Sequence, residues 1–321
     1  MPIYYGGKRI KSLYFGGKKI ASAWYGGKCV YREITFLAHP VQLWQWQAPN
    51  GVQALAVDNQ FNVYAGDSSG HVTKLDSTRK QLWQWIRISP SAVNSVAVDS
   101  QFNVYVGDYR KYVTKLDSTG KQLWQWQSPA MVYSVAVDSQ FNVYVGDASN
   151  NVTKLDSTGK QLWQWEAQGS AHSVAVDSQF NVYIGDGADY VTKLNSSGKQ
   201  LWQRKAPGIV ASVAVDSQFN VYAGDWANNV TKLDSTGKQL WQWKAPGGVN
   251  GVAVDSQFNV YVGDASNNVT KLDSTGKQLW QWEAQGSAHS VAVDSQFNVY
   301  VGDSIQYLGE GYVTKLQTAK Q

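Results

Sequence analysis

A segment of about 40 residues recurs seven times along the chain and constrains its fold more than any other feature. One copy, Val137 to Trp165, reads VDSQFNVYVGDASNNVTKLDSTGKQLWQW. Each copy carries one marker phenylalanine, and the markers are 39 residues apart after a first interval of 41. The markers are Phe61, Phe102, Phe141, Phe180, Phe219, Phe258 and Phe297. A fixed period of this length is typical of repeat folds, in which each copy is one small structural unit.

Each repeat contains four short runs of β-forming residues. In one copy these runs are Ser134–Asp138, Asn142–Asp147, Asn151–Asp156 and Lys160–Trp165. Turn-forming Asp, Asn, Ser and Gly residues separate them, and helical periodicity is absent. Four short antiparallel strands per repeat make one blade of a β-propeller, so the sequence predicts an all-β fold.

The two ends of the repeat region predict how the ring of blades closes. The region opens with a fourth strand, at 42–47, and ends after a third strand, Tyr312–Leu316. If the N-terminal strand joins the last blade, seven complete four-stranded blades result, and the ring has no free sheet edge between blades. We therefore predict a closed seven-bladed propeller over 42–321.

Residues 1–34 follow a different pattern, with three ten-residue units. Each unit has an aromatic pair, then Gly-Gly and a lysine, which predicts three small β-hairpins. About 34 residues cannot bury a stable core alone, so the aromatic side chains are expected to contact a partner, either the propeller or another protein. Further copies of the chain are a third possible partner. These predicted attachment residues are Tyr4, Tyr5, Tyr14, Phe15, Trp24 and Tyr25. Residues 35–41, with Pro40, are predicted to be an irregular connector.

Composition and charge exclude several classes of function. The single cysteine, Cys29, excludes an internal disulfide framework. Residues 1–34 carry seven Lys or Arg and one Glu, whereas the remainder has 21 basic and 23 acidic residues. A nearly neutral repeat region argues against nucleic-acid binding along it. No apolar run resembles a signal peptide or a membrane span, so we expect neither membrane insertion nor export by the common route.

Comparison of the seven copies separates constant turns from variable loops. The turns DSQFN and DSTGK hardly change, whereas the loops between the second and third strands, and between the fourth strand and the next blade, change strongly. Because strands alternate in direction, both variable loop classes lie on one face of the disc. We interpret this face as a ligand-binding face, with drift at exposed positions as the alternative. Its candidate residues are Arg87, Tyr109, Arg110, Lys111, Tyr112, Tyr133, His172, Tyr190, Trp226, His289, Tyr307 and Tyr312.

Two sevenfold residue sets admit structural explanations. Tryptophans two apart on the fourth strand project to one side and are expected to pack between blades, although Trp can also stack on sugars. In one copy this pair is Trp202 and Arg204. The aspartate after each second strand is expected to cap the following turn, with cation binding as the alternative. The histidines have no Ser-His-Asp or metal-ligand spacing, so no catalytic residue, metal or cofactor is expected.

The repeats resemble two families of propeller repeats. The line VAVDSQFNVYVGDASNNVTKLDSTGKQL, from Val135, resembles the NHL repeat, and LDSTGKQLWQW resembles repeats of quinoprotein-type propellers. The resemblance covers 42–316 and implies a propeller fold. The NHL pattern usually has glycine where Phe141 and its equivalents stand, and a basic residue where Val152 begins the third strand.

The Gly-Gly-Lys units of 1–34 resemble segments at the ends of phage and prophage tail and virion-associated proteins. This resemblance implies a structural protein of the virion, assembled in the host cytoplasm in multiple copies. It would attach to other virion proteins through 1–34 and present the propeller to a host-surface glycan or protein. The alternatives are a lectin-like or protein-binding propeller outside a virion, and a lyase-type enzyme on a propeller.

Overall fold

The structure of this chain is a computed structural model. It describes the backbone of the short strands within 4–32 and the residues 35–87, 91–305 and 309–320 with their side chains. Every regular element of the described residues is a β-strand, numbered β1 to β34 in chain order. Within these residues, no helix is long and apolar enough to cross a membrane.

Three antiparallel hairpins occupy the N-terminal segment, as predicted. They are β1 (Tyr4–Tyr5) with β2 (Lys8–Arg9), β3 (Leu13–Phe15) with β4 (Lys18–Ile20), and β5 (Ser22–Tyr25) with β6 (Lys28–Arg32). The side chains of the attachment residues Tyr4, Tyr5, Tyr14, Phe15, Trp24 and Tyr25 lie outside the described part of the chain, so their role stays a prediction.

Seven four-stranded antiparallel blades follow and confirm the predicted propeller. The strands of blades 1 to 3 are β8 (Val52–Val57), β9 (Val63–Asp67), β10 (His71–Leu75), β11 (Gln81–Ile86); β12 (Val93–Val98), β13 (Val104–Asp108), β14 (Tyr112–Leu116), β15 (Gln122–Gln127); and β16 (Val132–Val137), β17 (Val143–Asp147), β18 (Asn151–Leu155), β19 (Gln161–Glu166). Those of blades 4 to 6 are β20 (Ala171–Val176), β21 (Val182–Asp186), β22 (Tyr190–Leu194), β23 (Gln200–Lys205); β24 (Val210–Val215), β25 (Val221–Asp225), β26 (Asn229–Leu233), β27 (Gln239–Lys244); and β28 (Val249–Val254), β29 (Val260–Asp264), β30 (Asn268–Leu272), β31 (Gln278–Glu283). Blade 7 consists of β32 (Ser287–Val293), β33 (Asn298–Ser304), β34 (Gly311–Ala319) and β7 (Phe36–Ala48).

The ring closes through the N-terminal strand, as predicted, but this strand is longer than expected. β7 begins at Phe36, and its pairing with β34 continues to Phe36 opposite Ala319, so the connector predicted at 35–41 is wrong. β7 is the outermost strand of its sheet, where a proline without an N–H group is tolerated. A register irregularity between Gln317 and Ala319 accommodates the segment around Pro40.

The first strand of every blade is innermost, and these strands contact each other around a central channel. One apolar cluster lies at each interface between neighbouring blades. At the interface of blades 3 and 4, Tyr144 and the pair Trp163 and Trp165 pack with Ile184 and Leu194. The tryptophan pairs thus pack between blades, as expected from their spacing, and their burial is a main source of stability.

The turn after each first strand is built around a buried aspartate. In blade 3, Asp138 Oδ1 accepts the backbone N–H groups of Gln140 and Asn142, at 2.8 and 2.9 Å. Its Oδ2 accepts the side-chain amide of Asn142 and the hydroxyl of Tyr144, both at 2.9 Å. Phe141 closes the turn with a φ of 65°, a left-handed conformation that favours glycine, which explains why the NHL pattern has glycine there. All seven blades repeat this arrangement, so substitutions in it are costly.

Candidate ligand-binding face

The two variable loop classes meet on one face of the disc, which we call the variable face. Backbone hydrogen bonds join each second-to-third-strand loop to a neighbouring fourth-to-first-strand loop. The N–H of Ser128 donates to the carbonyl of Lys111 at 2.7 Å, and that of Ala148 donates to the carbonyl of Met131 at 2.9 Å. The constant turns lie at the opposite ends of the same strands, on what we call the constant face.

The aspartate that follows each second strand caps a loop of the variable face. Asp147 Oδ1 accepts the N–H groups of Ser149 and Asn151 at 2.8 and 3.0 Å, and Asp186 Oδ1 does the same for Ala188 and Tyr190. Capping was the expected role of this set. In the described part of the chain, no group of three or more His, Cys, Asp or Glu side chains is placed to hold a metal ion.

Seven half-buried side chains, one per blade, surround the mouth of the central channel on the variable face. Each is the second residue of its innermost strand, or its equivalent in blade 7, and we call the set the channel ring. The ring consists of Gln53, Asn94, Tyr133, His172, Ala211, Asn250 and His289. The described side chains that line this mouth include no Asp, Glu, Lys or Arg. The mouth therefore presents neutral hydrogen-bonding groups and aromatic rings.

In five blades the residue that follows the ring position is a serine that joins neighbouring blades. Ser95 Oγ accepts the N–H of Val135 at 2.9 Å, and Ser134 Oγ accepts that of Val174 at 3.0 Å. The serine is replaced only in blades 1 and 6, by Ala54 and Gly251, whereas the ring positions carry five different residue types. Variation in the first strands is thus concentrated at the position that faces the channel.

Three of the predicted face residues form an aromatic cluster at the mouth. The rings of Tyr133 and His172 stack with their centroids 4.6 Å apart. Trp226 is on a loop of blade 5, and its ring centroid is 5.4 Å from that of His172. The residue is 49% exposed. Ala211, the ring residue of that blade, has a small side chain. The cluster offers a stacking surface beside the channel.

Both ring histidines are neutral at pH 7. Burial lowers the pKa of His172 and of His289 below the ordinary value of 6.5. A neutral imidazole presents one donor and one acceptor, which suits hydrogen bonding to an uncharged ligand. His289 is on the opposite side of the ring from Tyr133, so the two histidines are in different parts of the mouth.

Other predicted face residues are occupied in contacts within the protein. Arg87 forms an ion pair with Asp108 and lies over the ring of Tyr112, 4.8 Å from its centroid. Tyr190 is covered by the ammonium of Lys205 at 4.6 Å, and that ammonium also pairs with Asp189 at 3.2 Å. These aromatic–cation pairs lie toward the outer strands and brace the loops.

The remaining predicted residues lie away from the channel ring. Tyr109 is 57% exposed, and Arg110 and Lys111 beside it are also exposed. Tyr312 donates its hydroxyl to Glu310 at 3.3 Å in the closing blade. Tyr307 lies outside the described residues. Their part in ligand binding stays a prediction.

A serine, a histidine and an aspartate do meet in blade 1, but not as a catalytic relay. His71 Nδ1 is 2.8 Å from Asp67 Oδ2 and 3.0 Å from Ser69 Oγ. A relay needs the carboxylate and the hydroxyl on different ring nitrogens, whereas both contacts here involve Nδ1. Asp67 also accepts the N–H groups of Ser69 and His71, so the cluster is a turn-capping network.

The channel mouth does not fit the pyrroloquinoline quinone of quinoprotein enzymes. That cofactor carries three carboxylates and requires cationic partners. The lining described above supplies none, and its two histidines are neutral.

Four ring residues, Gln53, Asn94, Ala211 and Asn250, were not predicted as site residues. The amides of Asn94 and Asn250 are fixed by hydrogen bonds to the next blade, at 2.9 Å to the carbonyl of Val132 and 3.1 Å to Ser287 Oγ. Aromatic and basic side chains were the criterion of the prediction, and the amides and Ala211 do not meet it. The signal that identifies them is variation at one fixed position of every first strand.

Comparison with known proteins assigns the family. The family model described as "Outer membrane protein assembly factor BamB" matches residues 68–207, 109–249 and 187–319. No curated protein matches the chain. The three matched ranges together extend from 68 to 319, well over half of the 321 residues. The chain therefore belongs to this family of quinoprotein-type, BamB-like β-propellers.

Proposed function

We propose that this protein is a non-enzymatic binding module that holds a neutral ligand, a host-surface glycan, at the channel mouth of the variable face. The observation that carries the proposal is the channel ring. Seven equivalent positions face one space, and they carry five different residue types although the turns of the constant face hardly change. Such variety at equivalent positions suits recognition of an asymmetric ligand.

The chemistry of the mouth favours a carbohydrate. The exposed indole of Trp226, beside the stacked rings of His172 and Tyr133, offers an apolar platform for a sugar ring. The amides of Asn94 and Asn250 and the neutral imidazoles supply hydrogen-bonding groups without charge. An anionic ligand would find no cation in this lining.

Two observations favour binding over catalysis. The one Ser-His-Asp contact is a turn network, and the ring histidines are not placed beside a carboxylate in the described structure. The matched family model carries the description of an assembly factor and names no enzymatic activity. The two ring histidines would therefore contact the ligand.

The three N-terminal hairpins would attach this binding module to a virion. Their Gly-Gly-Lys units resemble attachment segments of phage and prophage virion proteins. In the proposal they fix several copies of the chain to other virion proteins, and the propeller faces the host surface.

A glycan array with matched variants tests the binding site. Wild-type protein should bind one or a few related neutral glycans. Trp226→Ala and His172→Ala should each weaken binding by at least about 10-fold, because they remove the platform. Thr158→Ala, on the constant face, is the matched control and should bind as the wild type does. Equal binding by wild type and Trp226→Ala would contradict this site.

The virion setting needs a separate measurement. Mass spectrometry of purified particles from the producing strain should find the chain, and deletion of residues 1–34 should remove it from the particles. A chain present only as free protein would exclude the virion role. It would then support the alternative of a lectin-like propeller outside a virion, if the glycan array is positive.

A further inference from the structure

Six of the seven blade interfaces are filled by a second tryptophan from the outer strand. These residues are Trp46, Trp85, Trp126, Trp165, Trp243 and Trp282. Each packs against the apolar cluster of its interface. In blade 4 the equivalent residue is Arg204, and the cluster between blades 4 and 5 is packed by Trp202 and Ala206 without a second indole.

A cavity of about 260 Å³ is present at this interface. Its apolar walls include Val191, Ala223 and Leu233. The repeat equivalents of these residues at the preceding interface belong to the cluster against which Trp165 packs. The cavity thus lies where the other blades place an indole ring, and we call it the Arg204 slot.

The charges at the Arg204 slot are cationic. Arg204 donates from Nη2 to Gln239 Oε1 at 3.2 Å, and within the described residues it has no carboxylate partner. Lys205 also lines the slot, but its ammonium is paired with Asp189. Among the described residues, no acidic side chain lines the slot. A guanidinium next to a neutral amide remains available for a carboxylate.

We propose that the Arg204 slot binds a planar aromatic carboxylate of indole size. The ring would occupy the space between Val191 and Leu233 that an indole fills at the other interfaces. The carboxylate would accept hydrogen bonds from Arg204. The lining combines apolar side chains with polar ones such as Thr231, Gln242 and Arg204. In a site of this kind, burial of the ring supplies affinity and the polar groups supply orientation.

Calorimetric titration of the full chain with indole-3-acetate tests the proposal. We expect one site per chain and about 10-fold weaker binding of neutral indole, because indole lacks the carboxylate. Arg204→Trp should abolish binding by filling the slot, and it should fold because six blades carry tryptophan there. Arg204→Gln keeps the slot and should reduce the affinity for indole-3-acetate to that for indole.

Two further variants serve as controls. Trp165→Ala opens the equivalent space between blades 3 and 4, so this chain should gain a second site that binds neutral indole. Trp226→Ala, at the channel mouth, should bind indole-3-acetate as the wild type does. The Arg204 slot is excluded if the wild type does not bind indole-3-acetate or if Arg204→Trp binds it equally well. It is also excluded if Trp165→Ala gains no site. None of these results bears on glycan binding at the channel mouth.

Discussion

Both faces of the disc have a buried aspartate in every blade. The faces differ in how many hydrogen bonds the two carboxylate oxygens of that aspartate accept. On the constant face both oxygens of Asp138 and its equivalents accept hydrogen bonds from the same partners in all seven blades. On the variable face Oδ1 always caps the loop, but the partner of Oδ2 changes. It is His71 in blade 1, Arg87 in blade 2 and Ser128 in blade 3.

In blades 4 and 7 the variation in the Oδ2 partner is most pronounced. Asp186 and Asp303 are fully buried, and Oδ2 of each has no hydrogen-bond partner among the described residues. Burial raises the pKa of both carboxyl groups above the ordinary value of 3.8. An aspartate whose two oxygens both accept hydrogen bonds requires particular neighbouring residues. An aspartate with only one hydrogen-bonded oxygen is compatible with different neighbours. This difference explains why loops vary on one face and not on the other.

The largest effect is expected for Asp138→Asn on the constant face. The new amide would present donors to the side-chain amide of Asn142 and the hydroxyl of Tyr144, which already donate to Asp138. We expect the free energy of unfolding to fall by about 3 kcal/mol, since buried charge-assisted hydrogen bonds are lost. Equilibrium urea denaturation measures the change. A loss below about 1 kcal/mol would contradict the fixed role of this aspartate.

Blade 7 lacks one of the constant-face turns, so it shows what such a turn contributes to stability. Blade 7 has no turn between its third and fourth strands, because these come from opposite ends of the chain. Lys232 donates to the carbonyl of Ser274 in such a turn at 3.3 Å, whereas fully buried Lys271 has no hydrogen-bond partner among the described residues. Instead its ammonium lies 3.5 Å from the ring centroid of Phe36.

Lys271→Met should therefore stabilise the protein at pH 7. Burial lowers the pKa of Lys271 from 10.5 to about 8, so the folded state binds its proton less tightly than the unfolded state. The charge then costs stability at pH 7, and this cost declines as the pH rises from about 8 to 10.5. We expect a gain on the order of 2 kcal/mol at pH 7, after loss of the cation–π contact, and a smaller gain at pH 10.

Lys232→Met is the matched control for this measurement. Its ammonium has a carbonyl acceptor, so its removal should not stabilise the protein by a comparable amount. Urea denaturation of both variants at pH 7 and pH 10 makes the comparison. An equal gain for both, or a gain that does not decline at pH 10, would show that the missing turn is not the cause.

The ring of seven blades was predictable, but the start of its closing strand was not. The unmatched strand at 42–47 and the unmatched third strand at the other end together require closure, which is a matter of counting. Phe36 extends the strand because its ring packs edge-on against Phe297 at 5.3 Å and covers Lys271. These contacts join residues more than 200 positions apart, and no local pattern around Pro40 encodes them.

The candidate site was predictable as a face but not as a set of contacts. Strand direction alone predicts that Tyr133, His172 and Trp226 share a face. Their stacking depends on blades 3 to 5 meeting at the channel, and on the small side chain of Ala211. Arg87 fits the same sequence criteria but pairs with Asp108, which is 21 residues away. Local composition cannot separate these two cases.

On the variable face, Asp186→Asn should have a smaller effect than Asp138→Asn and one of opposite sign. The raised pKa of Asp186 means that its stability contribution is present at low pH and is lost as the pH rises through the folded-state pKa. We expect Asp186→Asn to gain about 1 kcal/mol at pH 7 and nothing near pH 3, where the carboxyl is protonated in both states. Thermal or urea denaturation at both pH values measures this. A loss near that of Asp138→Asn would remove the distinction between the faces.

The smallest effect is expected at Arg79, the one residue that departs from glycine in a constant-face turn. Arg79 has a φ of 81°, and its equivalents Gly120 and Gly159 have values of 87° and 88°. A Cβ at Gly120 would be 3.1 Å from the ring of Trp83, so glycine is favoured by both conformation and space.

Arg79→Gly should thus raise the free energy of unfolding by about 0.5 kcal/mol. Relief of the left-handed conformation is partly offset by the lost hydrogen bond from Arg79 Nη1 to the carbonyl of Gln45, at 2.9 Å. Gly120→Ala, the reverse change one blade away, should destabilise by about 1 kcal/mol. If Arg79→Gly destabilised the protein, the hydrogen bond would outweigh the backbone conformation. Single blades of the constant face could then be stabilised by contacts of their own, as those of the variable face are.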